Sequence, residues 1–453
     1  MSERRKVKSE VIVFDGWLLL CHRHPDYVGG NFQLFPAYLM KFPTYLNACR
    51  VCGWIVVMSL ISGSVCEGGL SSDREKLEAL AQLTDAPAME EATDFDSSEE
   101  LKAIYFKGLA YEGKPTKVFA WLGMPKSKAG KAGKVTAMLP AVVLVHGGGG
   151  TAFKDWVERW NARGYAAISI AVEGQTDIRT EDGESWSKHQ WAGPSRVGIY
   201  GDAAKPIEDQ WMYHAVADTI LAHSLIRSLP GVDSNKVGLM GISWGGIITS
   251  TVMGIDGRFA FAIPTYGCGD LAEVPNQYGK SLGNKATYKE VYDPMLRFER
   301  VKMPTLWFSW PQDKHFPMDK FANSYKAVSG PYAVSLIPKL GHGHGPPWNK
   351  PDSYAFADSI IENGQPWCTQ KSLEREGDKL VVIFESAQEL GSPVLVYSTD
   401  EGITGGRTWH ERAAKGTKNG NTYKVQAKLP EGVTGWFVNV KSGELTMSSD
   451  YQE

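Results

Sequence analysis

One pentapeptide restricts this chain more than any other: Gly241-Ile242-Ser243-Trp244-Gly245, between the buried-strand pattern Val237 to Ile242 and the start of a helix at Gly246-Ile247-Ile248-Thr249-Ser250. A strand that turns straight into a helix at a serine bracketed by glycines leaves no room for a Cβ at the two glycine positions. Such a turn holds the hydroxyl out at the C-terminal edge of a sheet. Ser243 is therefore the candidate nucleophile, and the chain around it is expected to be a parallel sheet with crossover helices.

A serine hydroxyl is a weak nucleophile at neutral pH. The reading therefore requires a histidine base, a carboxylate to orient it and donors for an oxyanion. The run Pro140-Ala141-Val142-Val143-Leu144-Val145 reads as a central strand and ends in His146-Gly147-Gly148-Gly149-Gly150, where backbone N–H groups stand free of side chains. Gly148 or Gly149, with the amide of Trp244, is the expected oxyanion hole. Downstream, Pro304 to Trp310 reads as a strand with Asp313 in the loop past its end, the expected acid. Asp319 falls in a helix beginning near Pro317, and Asp256 and Asp270 come too early in the chain.

The strand Tyr332 to Ile337 then runs into Leu340-Gly341-His342-Gly343-His344-Gly345. His342 is the expected base, and His344 is read as lining the pocket or supporting the loop. His146, His189, His214, His223 and His315 are expected to be structural or on the surface. The His-x-His spacing also permits a metal site, but no cysteine or carboxylate cluster completes a ligand set, so neither metal nor other cofactor is expected.

These motifs, His146-Gly-Gly-Gly-Gly, Gly241-Ile-Ser-Trp-Gly-Gly and Leu340-Gly-His-Gly-His, resemble those of the α/β-hydrolase superfamily, and within it the bacterial acetyl-xylan-esterase-like and prolyl-oligopeptidase-like serine hydrolases. The resemblance spans about Leu101 to Gln365 and implies a mostly parallel eight-stranded sheet and serine hydrolase chemistry. One departure is Ala171-Val172-Glu173-Gly174, where many relatives carry Asp-x-x-Gly. Prolyl oligopeptidases carry a β-propeller, and the roughly forty residues between the expected signal segment and the first strand are too few for one typical blade.

The eight expected strands are Lys102 to Phe106, Lys117 to Leu122, Ala141 to Val145, Tyr165 to Ile170, Val237 to Ile242, Phe259 to Pro264, Thr305 to Trp310 and Ala333 to Ile337. Glu208 to Ser228 reads as the longest helix, stopped by Pro230-Gly231. Leu77, Leu80 and Leu83 mark a short amphipathic helix, and the acidic stretch Glu90 to Glu100 reads as a solvated linker. After Gly364-Gln365-Pro366 the pattern changes to Leu380 to Phe384, Val394 to Tyr397, Tyr423 to Ala427 and Trp436 to Val440, a small all-β domain, most simply a sandwich. It is read as a packing domain, a cover for the site or a carbohydrate binder.

The expected organisation is a doubtful N-terminal extension 1–39, a signal peptide 40–66, a helical segment and linker 67–100, a catalytic domain 101–365 and the β-domain 366–453. The signal reading rests on a basic stretch from Met40 to Arg50, the apolar run Val51 to Ile61, too short for a stable span, and Ser62-Gly63-Ser64. It implies a secreted or periplasmic protein with no stable membrane span in the mature chain. Cys268 and Cys368 would then be the clearly mature cysteines, either bonded to each other or two buried thiols. A net charge of −3 over 453 residues, with charges interspersed, gives no reason to expect a nucleic-acid partner.

The long connection from Ala171 to Ile207 carries Trp186 and Trp191, and Trp348 follows the histidine loop. With His344, these indoles are the expected binding platform for a small-molecule or oligosaccharide ester substrate, peptide substrates being the alternative. A binding module on a catalytically silent hydrolase fold is the rival of a different class. If translation starts at Met40, mass spectrometry of protein expressed from its native locus is expected to find no peptide from upstream of that residue.

Overall fold

The computed structural model describes residues 9–14, 17–22, 69–125 and 138–453. The expected signal segment, 40–66, lies outside the described residues. The chain divides into two units, Met1–Gly69 and Leu70–Glu453. In the first, Ser9–Phe14 (β1) and Trp17–His22 (β2) pair antiparallel, from Ser9 opposite His22 to Phe14 opposite Trp17.

In the second unit the strands in chain order are Met89–Glu91 (β3), Leu101–Lys107 (β4), Lys117–Gly123 (β5), Leu139–Val145 (β6), Ala166–Ile170 (β7), a hairpin Gln175–Arg179 (β8) and Trp186–Lys188 (β9), Val232–Ile242 (β10), Phe261–Thr265 (β11), Thr305–Ser309 (β12) and Tyr332–Leu336 (β13). Nine of them form one sheet in the order β13-β12-β11-β10-β6-β7-β5-β4-β3. The six from β7 to β13 run parallel, and β5, β4 and β3 add on antiparallel. The fold is an α/β-hydrolase sheet.

The ninth strand corrects the expectation of eight. Met89–Glu91 overlaps the start of the stretch Glu90 to Glu100 expected to be a solvated linker, and all three of its side chains are exposed. It joins through backbone pairing alone, Met89 opposite Phe106 and Glu91 opposite Ile104, which no hydrophobic pattern announces.

The central strands carry the apolar runs because both their faces are covered. Val142, Val143, Leu144 and Val145 of β6 are fully buried, as are Leu239, Met240 and Ile242 of β10. Each such side chain contributes about 1.5–3 kcal/mol by leaving water. The helices are residues 69–79 (α1), Lys154–Asn161 (α2), Trp211–Ser228 (α3), Trp244–Val252 (α4), Gln277–Leu282 (α5), Met318–Ala327 (α6), the single turn Gly345–Trp348 (α7) and Asp352–Asn363 (α8). Trp160 of α2 meets Tyr354 of α8, and Trp211 of α3 meets Trp244 of α4, which pairs the helices across the parallel strands. No helix among the described residues is long and apolar enough to cross a membrane.

The C-terminal residues form two facing antiparallel sheets built from Cys368–Glu376 (β14), Lys379–Ser386 (β15), Gly391–Ser398 (β16), His410–Ala413 (β17), Lys415–Asn419 (β18), Thr422–Lys428 (β19), Gly435–Ser442 (β20) and Leu445–Ser448 (β21), in the orders β14-β15-β19-β18 and β17-β16-β20-β21. The sandwich is fused to the hydrolase sheet at β13: Leu336 N–H donates to Ser448 Oγ at 2.8 Å, and Asn439 Nδ2 donates to the Leu336 carbonyl at 2.9 Å. Asp352 of α8 accepts from Ser335 Oγ of β13 and from the Thr446 N–H of β21, tying the layers with one carboxylate. Cys268 and Cys368 are both buried free thiols.

Asp218 is one of fifteen buried residues among the eighteen of α3, and its Oδ1 has no hydrogen-bond partner among the described residues. Burial pushes its carboxyl up to about 8. A folded-state value raised above the unfolded one means relative stability is lost as pH climbs from the ordinary carboxylate range to about 8. Asp218→Asn is therefore expected to gain on the wild type in melting temperature as pH rises from 5 to 8, measured by thermal denaturation. A difference independent of pH would contradict this origin.

Candidate active site

The elbow at Ser243 is a place where backbones meet without side chains between them. A Cβ on Gly241 would lie 2.0 Å from the Gly245 carbonyl oxygen, one on Gly245 would lie 2.1 Å from that of Val145, and one on Gly246 would lie 2.4 Å from that of Thr265. Ser243 itself takes φ 59° and ψ −115°, a conformation costing about 1–3 kcal/mol that the surroundings must enforce. Its N–H donates to the Thr265 carbonyl at 2.9 Å, and its own carbonyl accepts from Ile247 N–H at 3.0 Å, which locks the turn onto β11 and α4.

His342 Nε2 lies 2.9 Å from Ser243 Oγ, and its Nδ1 lies 2.8 Å from Asp313 Oδ2. The structure thus brings together Ser243, His342 and Asp313 from the C-terminal ends of β10, β13 and β12. Asp313 is buried, and its other oxygen accepts from the N–H groups of His315 and Phe316 at 2.8 and 3.1 Å, while Trp310 Nε1 donates to Oδ2 at 3.2 Å. Those bonds fix the face of the carboxylate that meets the imidazole. Asp319 lies in the first turn of α6, Asp270 pairs with Lys320, and Asp256 pairs with His223 and Arg258.

Three groups at the site carry no motif in the sequence. Tyr266 stacks on His342 at 4.6 Å between ring centroids, and its hydroxyl donates to the Gly341 carbonyl at 2.7 Å, so one side chain holds both the ring and its loop. His315, expected to be structural or on the surface, lies with its ring centroid 4.8 Å from that of His342. Arg196, in the long connection, lies with its guanidinium 5.2 Å from the centre of the Trp244 ring. The sandwich reaches the site too. Met318 N–H donates to Thr404 Oγ1, and a Cβ on Gly405 would lie 2.1 Å from the Asp313 carbonyl oxygen, so this turn buttresses the acid loop.

The glycine loop is held by two neutral histidines. His146 is buried, donates from Nδ1 to the Gly147 carbonyl and accepts at Nε2 from Val172 N–H, and burial lowers it to about 4. Gly147 N–H donates to His344 Nε2 at 2.9 Å, and burial lowers His344 also to about 4. The Gly147 amide is therefore occupied.

Of the expected platform, Trp186, Trp348 and His344 do gather, around Phe153. Trp348 lies 5.3 Å and His344 4.8 Å from its ring, Trp186 lies 6.2 Å away, and Trp186 Nε1 donates to the Gly149 carbonyl. Trp191 stands apart from this cluster. It packs against Tyr105 of β4 beneath the Lys117 ammonium of β5, with no contact to the Ser243 or His342 side chains, because the Ala171 to Ile207 connection folds back over the antiparallel strands. Trp244, read for its amide, also packs its indole against Tyr200, Trp211 and Tyr278, making an aromatic wall on the other side of Ser243. No cluster among the described residues has the donors to hold a metal ion.

The sheet order and this constellation are those of an α/β-hydrolase fold. The family model described as acetyl xylan esterase (AXE1) matches residues 74–293. The chain is 26% identical over 270 residues to dipeptidyl aminopeptidase BIII of Pseudoxanthomonas mexicana, a match covering 53% of this chain and 36% of that protein's length. Among solved structures it is similar to the acetyl xylan esterase from Paenibacillus sp. R4 (TM-score 0.46, 21% identity, 60% of this chain and 88% of the other). It is likewise similar to acetyl xylan esterase 1 from Thermoanaerobacterium sp. JW/SL YS485 (TM-score 0.46, 19% identity, 60% and 88%).

His344→Phe keeps an aromatic ring in the Phe153 cluster and leaves Gly147 N–H without its acceptor, an expected cost of about 1–3 kcal/mol. His344→Gln, which can still accept, is expected to lose less. Thermal denaturation checks both, and equal stability of the two variants would show that the acceptor is not what matters.

Proposed function

We propose that the chain is a serine hydrolase that cleaves carboxylic esters through an acyl-enzyme, with acetylated carbohydrate as substrate. The hydrogen-bonded series Ser243 Oγ, His342 Nε2, His342 Nδ1, Asp313 Oδ2, at 2.9 and 2.8 Å, is the observation that carries the reading. In it, Ser243 Oγ attacks the ester carbonyl as His342 takes the hydroxyl proton, Asp313 orients the imidazole and stabilises its charged form, and the same proton passes to the departing alcohol. Water then attacks the acyl-enzyme with His342 again as base. The amide of Trp244, at the start of α4, and that of Gly148 or Gly149 receive the negative charge on the acyl oxygen. No step needs a cofactor.

The substrate class is supported by the acetyl xylan esterase family model over residues 74–293 and by the Trp186, Phe153 and Trp348 ledge beside the glycine loop, whose faces suit a sugar ring. Peptide substrates form the second reading, favoured by the similarity to a dipeptidyl aminopeptidase over 53% of the chain. The basic and apolar stretches of 40–66 support a secreted or periplasmic protein.

Acetate release from acetylated xylan and from an aryl acetate, comparing wild type with Ser243→Ala, tests the proposal. Both activities are expected to fall by at least about a thousandfold in the variant. Retained release would remove Ser243 from the chemistry. Wild-type cleavage of dipeptidyl arylamides without ester turnover would favour the peptidase reading.

A further inference from the structure

Arg196 is the cation of the site that the proposed chemistry leaves unused. Its Nε donates to Glu173 Oε1 at 3.2 Å and its Nη1 to the Gly198 carbonyl at 2.8 Å. Those two bonds fix the plane of the guanidinium and leave Nη2 without a hydrogen bond among the described residues. That free end is aimed at the glycine loop: a Cβ built on Gly148 would lie 3.0 Å from Arg196 Nη2 and 3.0 Å from Trp244 Cδ1. Three elements therefore converge on Gly148, namely the loop after β6, the first residue of α4 and the guanidinium from the long connection. A side chain at position 148 would require the guanidinium and the indole to give way by a few tenths of an ångström.

We propose that Arg196 is a third donor to the acyl oxygen, its Nη2 acting beside the backbone amides of Trp244 and of Gly148 or Gly149. The assignment rests on the serine hydrolase reading. When Ser243 Oγ bonds to the acyl carbon, the π electrons of the carbonyl pass to its oxygen and the hydroxyl proton passes to His342 Nε2. The guanidinium then faces a full negative charge that the resting ester lacks. Glu173 keeps Arg196 in place and offsets its charge in the resting site, so the interaction strengthens as the oxyanion forms and should act on kcat more than on KM. A conserved-volume packing role against the Trp244 indole is the competing account, and it predicts loss of folding rather than of rate.

Arg196→Met keeps the stem against Trp244 and removes the donors. With an aryl acetate, kcat is expected to fall at least about tenfold, with KM within about twofold and the melting temperature retained. Arg196→Ala is expected to recover part of its rate in millimolar guanidinium and none in equal sodium chloride. A kcat for Arg196→Met within twofold of wild type overturns the assignment, as does a loss that tracks melting and is not rescued. If the wild type does not hydrolyse the ester, the ester reading fails on its own, and Arg196 is then judged by the rate of fluorophosphonate labelling, whose phosphoryl oxygen occupies the same position. Labelling at least about tenfold slower in Arg196→Met supports the donor role. Equal rates overturn it, and absence of labelling in both proteins overturns it together with the Ser243 assignment.

Discussion

The exclusion of side chains around Ser243 governs more of this molecule than any single bond. Carbonyls of Val145, Thr265 and Gly245 approach the positions where Cβ atoms of Gly245, Gly246 and Gly241 would stand, so β6, β10, β11 and α4 can meet only with glycine at each contact. Because interiors are close-packed, a collision of that depth has no cheap relief. The left-handed backbone of Ser243 persists for the same reason: its neighbours, bonded through Thr265 and Ile247, leave it no other course. The sheet thus stores strain at the one residue whose side chain has to stand clear of it.

Around that fixed point the other groups are held from several sides. Asp313 is clamped by two backbone amides and an indole N–H, and behind it Gly405 and Thr404 of the sandwich press on the loop that carries it. Tyr266 stacks on the imidazole and bonds its loop. The C-terminal sandwich is therefore neither a tethered accessory nor a remote cap. Its hydrogen bonds to Leu336 and Asp352 reach into the edge strand and helix next to the histidine loop.

Burial also divides the histidines by role. His146 and His344, both lowered to about 4, are neutral acceptors for the N–H groups of Val172 and Gly147, and they hold the glycine loop after β6. His223 stacks on Phe259 and bonds Asp256 in a buried pair away from the elbow, so an aspartate beside a histidine is not by itself a site. What differs at His342 is its partial exposure and the hydroxyl on its far side.

Parallel strands with both faces covered must be apolar runs, and the chain direction of a parallel sheet brings every strand end to one edge. For that reason the sequence by itself determined the central strands, the elbow and the convergence of Ser243, Asp313 and His342, each written just past such a run. The exposed strands were legible only in part. Met89–Glu91, His410–Ala413 and Lys415–Asn419 are held by backbone pairing and carry exposed side chains, so no alternation marks them. Long loops left the least trace: Trp186 and Trp191 stand five residues apart, yet one reaches the glycine loop and the other lies on β4. Tertiary structure alone decided that, and alone brought Arg196, Tyr266 and Gly405 to the site, because residues far apart in sequence meet there through packing contacts that neither period nor motif encodes.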